Sequence, residues 1–207
     1  MSWQVALLAF GLVIELVSLV YYIHSIRAGT TRPHPISWAG WTVIGAIGAW
    51  AVRSGGGGLG FYIAASFVAI TLSIFLLSLM PGYTGGMDEK DPTDLPVLAI
   101  GIILLLVRIL HVGVFHLSDP AVQATLAVLC DFCFVWFTVK KALKKPDTEP
   151  FWPWVGAVAA SVIGVAVLGK FNYTTMAYPV YLVAADAAIA VAVVIGNQRA
   201  MRNKGRR

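Results

Sequence analysis

The chain has 207 residues, of which 58% are hydrophobic and 12% charged, with a formal net charge of +5 and a mean hydropathy of +0.79. One bilayer span takes about 20 apolar residues, and seven runs of that kind would use roughly 140 residues, leaving roughly 67 for all loops and both ends. No gap is long enough for a separate folded domain, which excludes a soluble enzyme, a nucleic-acid module and a receptor with a large ectodomain.

The first predicted span runs from Trp3 to about His24. No basic residue precedes it, it is too long for a signal peptide, and Glu15 sits in its middle. The others are Ile36–Val52, Gly60–Met80, Leu95 to about Val114, Pro120–Val139, Phe151–Leu168 and Met176–Gly196. Pro35, Pro81, Pro96, Pro120, Pro150 and Pro179 fall near span boundaries, where a first helical turn tolerates proline or a helix stops at it. Continuous rather than alternating apolar runs predict helices, because open sheet edges are forbidden in lipid. Small residues, as from Gly40 to Ala51 and from Ala157 to Ala166, let such helices approach closely. The predicted fold class is an all-α membrane protein of seven transmembrane helices.

Basic residues set the expected orientation. Arg27, Arg32, Lys90, Lys140, Lys141, Lys144, Lys145, Arg199, Arg202, Lys204, Arg206 and Arg207 follow odd-numbered spans; only Arg53 and Lys170 lie on the opposite side. This predicts a multi-pass protein of the plasma membrane with its N-terminus outside and its C-terminus cytoplasmic. The acidic loop with Asp88, Glu89, Asp91 and Asp94 is expected on the cytoplasmic side too, since acids contribute little to the rule.

The two ends of the chain are similar at an offset of about 114 residues. Tyr22, Arg27 and Trp38 line up with Trp136, Lys141 and Trp152, and each set flanks a proline-containing loop. Two parallel triplets joined by a linker helix are therefore expected. Residues 1–80 form the first bundle, 81–119 a cytoplasmic loop and the fourth helix, 120–197 the second bundle and 198–207 a basic cytoplasmic tail. Paired repeats around a midplane site are a transporter pattern.

In this plan the chain resembles, as a distant relative, the SWEET/PQ-loop superfamily of small-solute carriers. The resemblance covers nearly the whole chain and lies in architecture. The family's Pro-Gln dipeptides would fall near Tyr22-Ile23 and Phe137-Thr138, and neither place has a proline. The resemblance implies a solute-facing tryptophan on the second helix, for which Trp50 is the match. It also implies a polar residue on the third helix, matched by Ser66, Thr71 or Ser73, and by Asp186 in the second triplet. The proton-coupling acid that it implies on the fifth helix falls on Asp131.

Glu15, Asp131 and Asp186 each lie near the centre of a span, and Arg108 lies about 3 residues, roughly 5 Å, from the centre of the fourth. A charge in the bilayer costs about 2.5 kcal/mol or more, so it normally faces a partner or water. With one base for three acids, at least two carboxyls lack a cation within the spans, and some of the acids are expected to carry protons. That suits proton-coupled transport; an Arg108 bridge to Asp131 or Glu15 would instead only hold helices together. Tyr178 and Tyr181, with Asn172 before them, are candidates for an outer vestibule. Trp3, Trp38, Trp152 and Trp154, at span ends, read as an interfacial belt.

Other residues carry less. His24 and His34 are separated from His111 and His116 by a membrane thickness, so no metal site or cofactor is expected. Cys130 and Cys133 read as small core residues. Ser54 and the four glycines after it lack the lysine of a phosphate loop and read as a flexible turn. A rhodopsin-type photoreceptor would need a lysine in the last span, which has none. An intramembrane aspartyl protease using Asp131 and Asp186 would lack its Gly-x-Gly-Asp context, and a serine hydrolase its Gly-x-Ser-Gly elbow. The expected function is a non-enzymatic carrier of a small polar solute, with proton coupling left open. Its partners would be that solute and the lipid bilayer, with assembly into a homo-oligomer open and no nucleic acid. The alternative is a non-catalytic membrane scaffold or sensor.

Overall fold

The structure, a computed structural model, describes residues 2–83, 94–113 and 119–204. Among them are seven α-helices: α1 (Trp3–Arg27), α2 (Pro35–Ser54), α3 (Gly60–Ser78), α4 (Asp94–Gly113), α5 (Pro120–Lys144), α6 (Phe151–Ala166) and α7 (Tyr173–Lys204). Lys90 and His116 lie outside the described residues, as do the side chains of Arg108 and His111. The apolar helices make this a helical, multi-pass membrane protein. Five of them, α1, α2, α3, α5 and α7, are long and apolar enough to cross a bilayer. The 16 residues of α6 reach only about 24 Å, less than a hydrocarbon core of about 30 Å. The apolar part of α4 is likewise short.

Local chemistry fixes most helix starts. Ser2 accepts from the Val5 N–H at the head of α1, His34 from Ser37 ahead of Pro35, and Asp119 from Ala121 ahead of Pro120. Each side chain satisfies an N–H that the first turn leaves free. Asn172 and Thr175 form a reciprocal pair: the Thr175 N–H donates to Asn172 Oδ1 at 3.0 Å and the Asn172 N–H to Thr175 Oγ1 at 3.2 Å. This pair starts α7 three residues earlier than expected, so Pro179 stands inside the helix rather than in its first turn. Asn172 thus caps α7. Asn172→Ala is expected to lower stability by about 1 kcal/mol, read from the unfolding midpoint in detergent.

The helices pack in a definite order. Helix α3 lies against α1 and α2, and α7 against α5 and α6; across these groups α1 meets α6 and α2 meets α5, while α4 packs on α5. Glycines on α2 permit the closest approaches. A Cβ at Gly40 would strike the Phe134 ring of α5, and one at Gly48 the Tyr178 ring of α7.

Both ends of the bundle are tied together. At one end, Gly56 and Gly58 take positive φ angles of 85° and 56°, which glycine adopts without a Cβ penalty. Their turn meets the α6–α7 turn through a Gly58–Leu168 bridge and a 3.0 Å bond from the Gly169 N–H to the Gly57 carbonyl. The glycine run is therefore a docked joint, not the loose turn its composition suggests. At the other end, which carries Arg27 and the lysines of α5, the Arg32 N–H donates to the Thr148 carbonyl at 3.2 Å.

Candidate functional site

Near the middle of the bundle, Ser66 of α3 hydrogen-bonds the Glu15 carboxylate of α1. On the facing pair, Ser161 of α6 donates to Asp186 Oδ2 of α7 at 3.3 Å. Glu15 is 6% exposed and Asp186 3%. Asp186 feels the charges of both Asp131 and Glu15, so the three acids from α1, α5 and α7 form one electrostatic group. The Asp131 carboxylate interacts with Tyr178 and Tyr181. Neither of its oxygens has a hydrogen-bond partner, and neither tyrosine hydroxyl has one. Buried polar atoms left in this way commonly mark a place for water or another ligand. The rings of Tyr178 and Tyr181 stack at 6.4 Å.

Two clefts meet at the Glu15–Ser161 level. The larger, with about 490 Å³ of empty volume that includes an open flank, is walled by Glu15, Tyr22, Trp38, Phe67, Trp154 and Ser161. The smaller, about 310 Å³ that likewise includes open space at its mouth, shares Glu15, Phe67 and Ser161 and adds Ile63, Pro179 and Leu182. Together they run along the seam of α1, α3 and α6.

The predicted site residues therefore divide. Glu15, Ser66, Asp131, Tyr178, Tyr181 and Asp186 come together. Trp50 does not: it is 61% exposed, because it stands two positions beyond Gly48 and hence about 200° round α2 from the buried face. Thr71 is buried, but its hydroxyl donates within α3 to the Val68 carbonyl at 3.0 Å. Ser73 donates to Ala69 in the same way at 2.7 Å. Whether Arg108 meets an acid lies outside the described residues.

A second cluster went unpredicted. Glu149, in the α5–α6 loop and 4% exposed, accepts on Oε1 from the Tyr22 hydroxyl at 2.8 Å and the Trp154 indole N–H at 3.0 Å. Lys141 Nζ stands 2.5 Å from Oε2 as an ion pair, off the direction of a hydrogen bond. The same ammonium donates to the Arg32 carbonyl at 2.6 Å. Around Glu149, Trp38 lies 4.9 Å from Trp41 and 6.1 Å from Trp154. Trp38 and Trp154 are each 5% exposed, so they leave the expected interfacial belt, whereas Trp3 and Trp152 remain on the surface. Contact across 127 residues is what buries Glu149. The one sequence signal for it is the pairing of Tyr22 and Trp154 with a loop carboxylate near two helix ends.

Comparison with known proteins found no matching family model, no matching curated protein and no matching solved structure.

Proposed function

We propose that this chain is an integral membrane carrier for a small polar solute, with a midplane site between two triple-helix units and transport coupled to protons. The observation that carries the reading is the set of three buried acids, Glu15, Asp131 and Asp186, of which Glu15 lines both clefts and Asp186 is bonded to Ser161 in their wall. Ionisable groups at membrane depth normally face a partner or a solute path, and a carboxyl that gains and loses a proton there can couple the two. Further support comes from the order of neighbours. Leaving α4 aside, exchanging helices 1–3 for helices 5–7 maps it onto itself: α1–α6 becomes α5–α2, and α3–α6 becomes α7–α2. Such pairing suits two units that rock about a shared site. Burial matches Trp38 to Trp154 rather than to Trp152, a shift of two residues from the 114-residue offset.

In this reading the end bearing Glu149 and Lys141 faces the cytoplasm of a plasma-membrane protein, and the distant likeness to the SWEET/PQ-loop carriers concerns plan rather than hinge. Reconstitution into vesicles with an imposed pH gradient, screened against sugars, amino acids, amines and vitamins, tests it. The expected result is gradient-driven uptake that falls at least tenfold in Asp131→Asn or Asp186→Asn. Uptake unchanged in both variants would make the acids structural. No uptake of any solute would favour a scaffold.

A further inference from the structure

The larger cleft is selective in what it leaves available for bonding. Three rings in its wall carry polar atoms: the Tyr22 hydroxyl and Trp154 N–H are bonded to Glu149, and the Trp38 N–H lies toward the Tyr22 hydroxyl. What faces the cleft from Tyr22, Trp38, Phe67 and Trp154 is therefore ring surface. The remaining polar groups in its wall are the Glu15 carboxylate and the hydroxyls of Ser18 and Ser161. Among the described residues no lysine, arginine, histidine, asparagine or glutamine lines it.

This inventory discriminates between ligands. A sugar has many hydroxyls, and nearly all would be buried here without partners. An amino acid brings a carboxylate for which the wall offers no cation. An apolar ring with one ammonium loses least: its body lies on the aromatic walls, and its charge meets Glu15 and the faces of the indoles. We propose that the Glu15 cleft takes an organic monocation with an aromatic body, exchanged for a proton. The proposal rests on the carrier reading and names its substrate class. A carboxylate holding the ammonium cannot also hold a proton, so arrival of the ligand releases one from Glu15, and return of a proton expels the ligand. Charge is conserved in the exchange, one for one.

Three compounds that share an indole ring and differ in charge provide the test: tryptamine (cation), tryptophan (zwitterion) and indole-3-acetate (anion). Binding to the full-length protein in detergent is measured by calorimetry, with phenethylamine as a second cation and glucose as a control. The amines are expected to bind at least tenfold more tightly than the zwitterion, the anion or the sugar. Glu15→Gln is expected to weaken the amines at least tenfold, and Ser66→Ala, a milder change at the same carboxylate, less. Equal binding of tryptophan or glucose, absence of amine binding, or amine binding indifferent to Glu15→Gln in a folded variant would each overturn the substrate class. Vesicle uptake separates this from the carrier reading. Amine binding without uptake under any gradient would overturn transport and exchange while leaving the site. Uptake of a sugar alone would keep the carrier and overturn the cation.

Discussion

Glu149→Ala is expected to lower the stability of the folded protein by about 3–5 kcal/mol, the cost of breaking a buried ion pair from one side. The carboxylate is 4% exposed and holds three groups from three parts of the chain: the donors Tyr22 on α1 and Trp154 on α6, and the Lys141 ammonium on α5 as an ion pair. Its removal leaves the Lys141 ammonium at a side-chain exposure of 9%, with the Arg32 carbonyl as its remaining contact. The Tyr22 hydroxyl and Trp154 N–H also lose their acceptor, and buried donors without acceptors are costly. Thermal unfolding in detergent checks this. Adding Lys141→Met should recover the part due to the stranded charge, while Glu149→Gln, which keeps an acceptor, should lie between. A Glu149→Ala protein within about 1 kcal/mol of the parent would show that the cluster is solvated.

Gly48→Leu is expected to prevent α2 and α7 from closing. Even the Cβ of Gly48→Ala would overlap the Tyr178 ring, and that ring is fully buried, with no exposed edge into which to turn. Overpacking by a methyl group typically costs about 1–3 kcal/mol, and a leucine adds three more carbons at the same spot. Yield of monodisperse protein and the unfolding midpoint are the measurements. Shortening the opposing ring in Gly48→Ala with Tyr178→Leu should recover much of the loss. If Gly48→Ala alone is as stable as the parent, the α2–α7 contact is looser than described.

Much of the fold could be read from the sequence, and the reason is the solvent. Lipid demands long apolar runs, so the helices announced themselves to within a few residues at most ends. The larger errors are at basic helix ends, where α5 runs to Lys144 rather than Val139 and α7 to Lys204 rather than Gly196; the smaller came where protein contacts set the boundary. The Asn172–Thr175 pair moved the start of α7, and docking of Leu168 on Gly58 ended α6 early. Facing direction was harder to read. In a soluble helix polarity marks the outward side, but here lipid and core are both apolar, so Trp38 and Trp152 looked alike although one is 5% and the other 64% exposed. The glycines of α2 were the better guide. Gly48 and Trp41 lie within about 20° on the wheel, and Trp50 lies on the far side. Glu15, Asp131 and Asp186 were legible because a charge in a span is conspicuous. Glu149 was not, because an acid in a loop is ordinary until folding buries it.

The clustering of indoles around Glu149 gives the protein a reporter of its own. Three of its seven tryptophans, Trp38, Trp41 and Trp154, sit buried at the joint where the α1–α2 and α5–α6 loops meet. The Trp154 N–H is bonded to the carboxylate that holds that joint. Any separation of the loops would wet these rings and break that bond, changing their emission wavelength and intensity. The other four indoles are already exposed on the surface and provide a steady background. Opening of this end can thus be followed by intrinsic fluorescence, without attaching a dye.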